Sequence, residues 1–75
     1  MPLAEIKVFE GELSEARTQE VIQKITDVMV SFAGENLRQA TWVIVQEVKS
    51  GHWGVGGKGL GLDDIRESQA GKPKR

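Results

Sequence analysis

A proline at position 2, directly after the initiator methionine, is the first residue of this chain that could do chemistry. Aminopeptidase usually removes Met1 when a small residue such as proline follows, and Pro2 would then carry a free secondary amine. An unperturbed α-amino group titrates near ~7.7–8.0, and a group whose pKa lies close to the operating pH is an effective general base or acid. Pro2 is therefore a candidate catalytic residue. The simpler alternative is a proline that only precedes a strand.

Aromatic residues are few, with two tryptophans, two phenylalanines and no tyrosine. Trp42 opens a run of β-branched residues, Trp53 lies in a glycine-rich segment, and Phe9 ends the first predicted strand. Such side chains can pack in a core, anchor an interface or form the apolar wall of a pocket. We take Trp53, Trp42 and Phe9 as candidate substrate contacts.

Two other patterns are weaker. The spacing Gly54-x-Gly56-x-x-Gly59 matches a dinucleotide fingerprint formally, but that motif opens a long helix, whereas Leu-Gly-Leu-Asp-Asp follows here. His52 is the only histidine and the chain has no cysteine, so it is interpreted as a turn or interface residue. We expect no metal and no cofactor.

Length and composition bound the class of protein. Seventy-five residues make a single domain, 1–75, which buries only about 60 % of its unfolded surface. Such a small core gives little stability, and the chain has no disulfides, so oligomerisation is expected to supply the rest. Lys plus Arg total 10 against 11 Asp plus Glu, a balance that does not favour nucleic acid. No apolar run reaches the ~20 residues of a membrane span, and no signal peptide is recognised. A cytoplasmic protein is expected.

Periodicity predicts the elements that must position these residues. Residues 3–9 alternate as a strand. Ser14 is suited to cap a helix running to about Ala33, where Gly34 stops it. After a connection at 35–40, residues 41–48 form a second strand, and the simplest unit is β-α-β with parallel strands and a right-handed crossover.

The second predicted strand is apolar on both faces, although one helix can cover only one of them. Val43 and Val45 lie on one face, and Trp42 and Ile44 on the other. We therefore expect a second subunit to cover the remaining face. Residues 50–62 are dense in glycine, and Trp53 and Val55 alternate with glycines, which suggests a short hairpin or arm lying on another surface. Residues 63–68 could add a helical turn in a C-terminal extension (63–75) whose end, 69–75, is expected to be frayed.

Taken in order, these segments resemble the 4-oxalocrotonate tautomerase family of the tautomerase superfamily. The matching features are Met1-Pro2, a strand ending in Glu10-Gly11, a capped helix, a strand ending near Glu47, and the arm Gly-His-Trp-Gly-Val-Gly-Gly at 51–57. The resemblance implies an α/β fold: a β-α-β protomer with a glycine-rich arm, typically assembled as a hexamer of three dimers. It also implies that Pro2 moves a proton between atoms of a small unsaturated keto acid, with Trp53 over the pocket.

The chain departs from this family pattern at the two substrate-binding arginines. Glu12, with Leu13 inserted after it, stands where the family has an arginine after Glu-Gly, and Trp42 stands in place of an arginine at the start of the second strand. Arg38 and Arg17 are cations that could reach the pocket, and we take Arg38 as a candidate substrate ligand. The expected function is isomerase activity on an enol or keto acid less charged than a dicarboxylate.

Two alternatives stay open. Pro2 as a cation could assist hydration, dehalogenation or decarboxylation, with Glu12 as the acid or water-activating partner. A non-catalytic oligomer could instead bind a ligand or partner through Trp42 and Trp53.

Overall fold

The computed structural model describes residues 2–71. Its elements in chain order are β1 (Leu3–Phe9), α1 (Glu15–Ala33), a 3-10 helix (Glu35–Ala40), β2 (Trp42–Val48), β3 (Trp53–Val55), β4 (Lys58–Leu60) and α2 (Leu62–Gln69). Strands β1 and β2 pair in parallel, with Leu3 opposite Trp42 and Phe9 opposite Val48. The predicted α/β fold, a β-α-β unit followed by a hairpin arm, is confirmed.

Helix α1 begins and ends where local chemistry predicts. The Ser14 hydroxyl accepts a hydrogen bond from the Arg17 amide at 3.1 Å, and Gly34 ends the helix with a positive φ of 102°. The even-numbered residues of β1 are partly buried while Leu3, Glu5 and Lys7 are exposed. Helix α1 therefore covers the even-numbered face. Leu3, Glu5 and Lys7 on the odd-numbered face stay exposed, and only Phe9 at the end of that face is buried.

The connection predicted between α1 and β2 is more regular than expected. Residues 35–40 form a 3-10 helix, whose last turn is closed by the Thr41 amide donating to the Arg38 carbonyl at 3.2 Å. The Thr41 hydroxyl also donates to the Leu37 carbonyl at 2.8 Å. Local hydrogen bonds thus shape a segment that carries no apolar periodicity.

Strands β3 and β4 form the predicted hairpin. Its two-residue loop, Gly56-Gly57, has φ angles of 59° and 86°, the positive values that a type I′ turn requires at both central positions. A Cβ on Gly59 would collide with the carbonyl oxygen of Gly51, so the hairpin folds back tightly on its own base. The glycines of the formal dinucleotide fingerprint therefore serve this hairpin.

Helix α2 is longer than the single turn predicted from the sequence. It starts after Gly61, whose amide donates to the Asp64 carboxylate at 2.9 Å, and it continues to Gln69. The prediction of a frayed end covered residues 69–75: Gln69 closes α2, and residues 72–75 lie outside the described part of the chain.

The core of the protomer is small, as its length predicts. Among residues 2–71, only Phe9 and Val30 are apolar side chains classed as buried. Two apolar surfaces remain open: Leu3, Trp42 and Ile44 on the sheet, and Val28, Phe32 and Leu37 on the helical side. Between residues 2 and 71, no helix combines the length and apolarity needed to cross a membrane.

Candidate active site

Pro2 lies at the start of the parallel sheet, next to Trp42. The Trp42 amide donates a hydrogen bond to the Pro2 carbonyl oxygen at 3.0 Å, and Leu3 pairs with Trp42 in the strand register. Pro2 itself is partly buried. The sheet therefore fixes the backbone of the candidate base and its tryptophan neighbour together; we call Pro2, Leu3 and Trp42 the proline end of the sheet.

The open face that begins at the proline end is apolar and carries a negative charge. Leu3, Trp42 and Ile44 are 51%, 55% and 44% exposed, and Glu5 shares this face opposite Ile44. The first cation along it is Lys7, whose Nζ donates to the Gln46 side-chain oxygen at 2.6 Å. The exposed surface next to Pro2 is therefore mainly apolar.

Phe9 and Trp53 form an aromatic stack at the opposite end of the sheet. Their ring centroids lie 4.7 Å apart with an interplanar angle of 21°, a stacked arrangement that contributes about 0.5–1.5 kcal/mol beyond area burial. The Trp53 indole Nε1 donates to the Val48 carbonyl oxygen at 3.4 Å, and the Glu10 amide donates to the same oxygen at 2.9 Å. The arm is thereby tied to the carboxyl ends of both long strands.

The two candidate regions are well separated within one chain. Strand β1 runs from Leu3 at the proline end to Phe9 in the stack, and six steps of about 3.3 Å give about 20 Å. Pro2 and Trp42 therefore meet in one protomer, as do Phe9 and Trp53, but the two pairs do not meet each other. A pocket that combines them requires a second copy of the chain.

Glu12, which the sequence resemblance aligns with a family arginine, is bound to the backbone. Its carboxylate accepts a hydrogen bond from the Phe9 amide at 3.0 Å, and its own amide donates to the Phe9 carbonyl at 2.9 Å. The Glu47 carboxylate similarly accepts from the Gly11 amide at 3.0 Å. Both carboxylates hold the turn after β1, a role that reading the sequence did not reveal because their partners are backbone amides.

The candidate cation Arg38 is engaged in ion pairs on the helical side. Its guanidinium lies 2.6 Å from the Glu35 carboxylate and 2.9 Å from that of Asp27. The hydrogen bond from Arg38 lowers the pKa of Glu35, and both carboxylates raise the pKa of Arg38. Any substrate carboxylate would have to compete with these two partners.

Arg17, the other cation considered, is paired within α1. It lies 2.6 Å from Glu20, which also bridges to Lys24 at 2.8 Å. The hydrogen bond from Lys24 and the charge of Arg17 lower the pKa of Glu20. This arrangement is typical of an exposed helix surface.

A surface depression of about 480 Å³ is lined by Lys58, Gly59, Leu60 and Asp64. It contains none of the predicted site residues. His52 lies in the turn before β3, where its amide donates to the Lys49 carbonyl at 2.9 Å. Across residues 2–71, no three histidine or acidic side chains gather as a metal site would require.

These features define a class of protein: a small β-α-β protomer with a proline before its first strand and an aromatic, glycine-rich arm. A family model described as tautomerase enzyme matches residues 2–63. The chain belongs to this family of tautomerases.

Individual relatives agree with this membership. A probable tautomerase of Ralstonia nicotianae is 36% identical over 72 residues, covering 93% of this chain and all of the relative. A probable tautomerase of Staphylococcus aureus is 35% identical over 57 residues, covering 76% and 90%. A solved structure of the 4-oxalocrotonate tautomerase isozymes from Methylibium petroleiphilum superposes with a TM-score of 0.66 at 30% identity, covering 75% and 87%. The family predicted from the sequence is confirmed.

Proposed function

We propose that this chain is an isomerase that catalyses keto-enol or double-bond proton transfer on a small unsaturated keto acid, with the amino-terminal nitrogen of Pro2 as the base. The observation that carries the proposal is the hydrogen bond between the Pro2 carbonyl and the Trp42 amide at 3.0 Å. It holds Pro2 at the edge of an open apolar surface. The family of the chain supports the reaction class.

The reaction needs one group that can both accept a proton and donate it. With Met1 removed, the neutral Pro2 amine takes a proton from the enol hydroxyl or from an acidic carbon of the substrate. The resulting secondary ammonium returns that proton to a different carbon, and the double bond shifts accordingly. No atoms are gained or lost, because the same nitrogen accepts the proton and returns it.

The complete pocket is proposed to form between copies of the chain in a homo-oligomer, with a hexamer as the leading arrangement. The exposed surface formed by Leu3, Trp42 and Ile44 supports contact between copies, because a small domain gains stability by covering such a surface. A neighbouring strand that runs antiparallel would bring the partner's stack of Phe9 and Trp53 to Pro2. That arrangement would enclose the substrate between aromatic walls.

The substrate is proposed to be a monocarboxylate or aromatic enol acid. Trp42 offers an apolar wall, and Glu5 on the same face disfavours a second anion. Arg38 remains a proposed substrate ligand, but it would have to leave Glu35 and Asp27 to bind a carboxylate. Substrate binding is therefore expected to depend on aromatic contacts with Trp42, Trp53 and Phe9 more than on charge.

A second candidate function is non-catalytic binding of a ligand or partner. The specific observation in its favour is the exposed apolar face that carries Trp42. The described arginines are paired elsewhere in the protomer or bound to the backbone. A related proline-dependent hydratase, dehalogenase or decarboxylase would need a free acid, and the Glu12 carboxylate is bound to the Phe9 amide. The isomerase is therefore preferred to those three.

The deciding experiment combines intact mass with an enol assay. Mass spectrometry first selects protein whose chain starts at Pro2. Ketonisation of phenylenolpyruvate is then followed by absorbance at neutral pH, and we expect turnover that a Pro2→Ala variant, also freed of Met1, has lost. A Gln19→Glu variant on the polar face of α1 is the matched control and should keep wild-type activity. Absence of turnover by chains that start at Pro2 would favour the binding protein instead.

A further inference from the structure

Helix α2 brings an arginine to the turn that follows β1. The Arg66 Nη2 donates to the Gly11 carbonyl oxygen at 3.3 Å and to the Glu12 carbonyl oxygen at 3.2 Å. The family match ends at residue 63, so Arg66 lies beyond the segment that defines family membership. Its two contacts join residues more than fifty positions apart in the chain.

The helix that carries Arg66 is itself anchored. The Leu62 amide donates to the Ser50 hydroxyl oxygen at 2.9 Å, which ties the start of α2 to the turn after β2. Leu62 also packs at Gly11, since a Cβ built on Gly11 would stand 3.7 Å from Leu62 Cδ2. Arg66 therefore extends towards the turn from a helix whose start is held in place.

The turn that Arg66 holds is directly bonded to Phe9. Glu12 contacts Phe9 twice, through its carboxylate at 3.0 Å and its amide at 2.9 Å. The Phe9 ring in turn stacks on the Trp53 ring, with the two centroids 4.7 Å apart. A continuous set of contacts thus runs from Arg66 through the Glu12 backbone to the aromatic stack.

We infer that Arg66 is a positioning residue for the stack of Phe9 and Trp53. Its guanidinium holds the Gly11 and Glu12 carbonyls, so that the Glu12 carboxylate stays on the Phe9 amide and Phe9 supports the indole. A hydrogen bond from a charged donor is stronger than a neutral one, and two carbonyls on one nitrogen restrict the turn. The consequence for substrate binding rests on the proposed function; the consequence for the stack does not.

The effect should fall on substrate binding and leave the chemical step unchanged. Trp53 is proposed as a wall of the pocket, whereas proton transfer is assigned to Pro2 at the other end of the sheet. Loosening the stack should therefore raise KM, while kcat depends on the amine. Losing contacts of this kind is expected to raise KM about three- to tenfold.

The test compares Arg66→Gln, Arg66→Lys and Lys24→Gln. Acrylamide quenching of Trp53 fluorescence is measured in a Trp42→Phe background, so that only one indole emits, and kinetics are measured with Trp42 intact. We expect Arg66→Gln to increase Trp53 quenching and raise KM with kcat within about twofold. Arg66→Lys keeps the charge without the guanidinium fork, so its Trp53 quenching and its KM should lie between those of wild type and Arg66→Gln. Lys24→Gln removes an exposed cation paired with Glu20 and should match wild type.

Each result decides for or against the inference. Unchanged Trp53 quenching in Arg66→Gln overturns it, whatever the kinetics. A KM increase that persists when Arg66→Gln is made in a Trp53→Ala background also overturns it, because Arg66 would then act by another route. If the wild-type chain starting at Pro2 turns over no enol, the proposed function fails, and the quenching comparison alone decides the role of Arg66.

Discussion

The carbonyl oxygen of Pro2 accepts a hydrogen bond from the backbone amide of Trp42 at 3.0 Å. A single sheet contact thus joins the candidate base to the tryptophan that the sequence resemblance aligns with a family arginine. The nearest side chains on the open face are apolar or acidic, and the first cation, Lys7, is bonded to Gln46.

Replacing Trp42 by arginine should shift substrate preference towards dicarboxylates. Trp42→Arg places a guanidinium beside Pro2, and an arginine–carboxylate pair is among the stronger polar contacts. We expect the ratio of kcat/KM for a dicarboxylate dienol to that for phenylenolpyruvate to rise about tenfold or more. Trp42→Gln is the control for loss of the indole without added charge. If the wild-type protein already prefers the dicarboxylate by a wide margin, a cation such as Arg38 or Arg17 must bind it.

Removing the indole of Trp53 should reduce substrate binding more than it reduces secondary structure. Trp53→Ala deletes a partly exposed ring, whereas Phe9→Ala empties a buried position that is only 6% exposed and should cost about 3–5 kcal/mol of stability. Kinetics and circular dichroism are measured for both variants. If a folded Trp53→Ala variant keeps the wild-type KM, Trp53 does not line the pocket.

Arg38 should affect stability in a pH-dependent way. The hydrogen bond from Arg38 lowers the pKa of Glu35 in the folded chain, so this pair stabilises the fold above the unfolded pKa of Glu35. That contribution is lost as pH falls through the lowered, folded pKa. Arg38→Gln should therefore lower Tm slightly at pH 7, with the difference vanishing in acid well below the unfolded value of about 4.3.

The same variant tests Arg38 as a substrate ligand. If the guanidinium stays with Glu35 and Asp27, Arg38→Gln leaves KM for the enol within about twofold of wild type. A large increase in KM, with little change in Tm, would show that Arg38 leaves its partners to bind substrate.

A charge on the open sheet face should prevent assembly. Ile44 is 44% exposed in the protomer, and burying an unpaired carboxylate there would be strongly unfavourable. We expect Ile44→Glu to sediment as a smaller species than wild type, with Gln23→Glu on the polar face of α1 as the control. A wild-type protein that sediments as a folded 8.3 kDa monomer at micromolar concentration would contradict the proposed oligomer.

Local patterns determined much of the fold from the sequence. Strand and helix periods predicted β1, α1 and β2 nearly to the residue, because apolar side chains must recur on the side that packs. Ser14 and Gly34 predicted the ends of α1 through the backbone groups that they satisfy. The glycines of the arm predicted a hairpin, and the Met-Pro start together with that arm indicated the family.

Only the tertiary structure decided how the candidate residues are grouped. It put Pro2 with Trp42, and Phe9 with Trp53 about 20 Å away, because the direction and register of two parallel strands depend on the whole sheet. It also bound Glu12 to the Phe9 amide, Arg38 to Glu35 and Arg66 to the turn after β1. The sequence does not indicate the partner of a charged residue when that partner is a backbone group or a distant side chain. These roles could therefore be seen only in the folded chain.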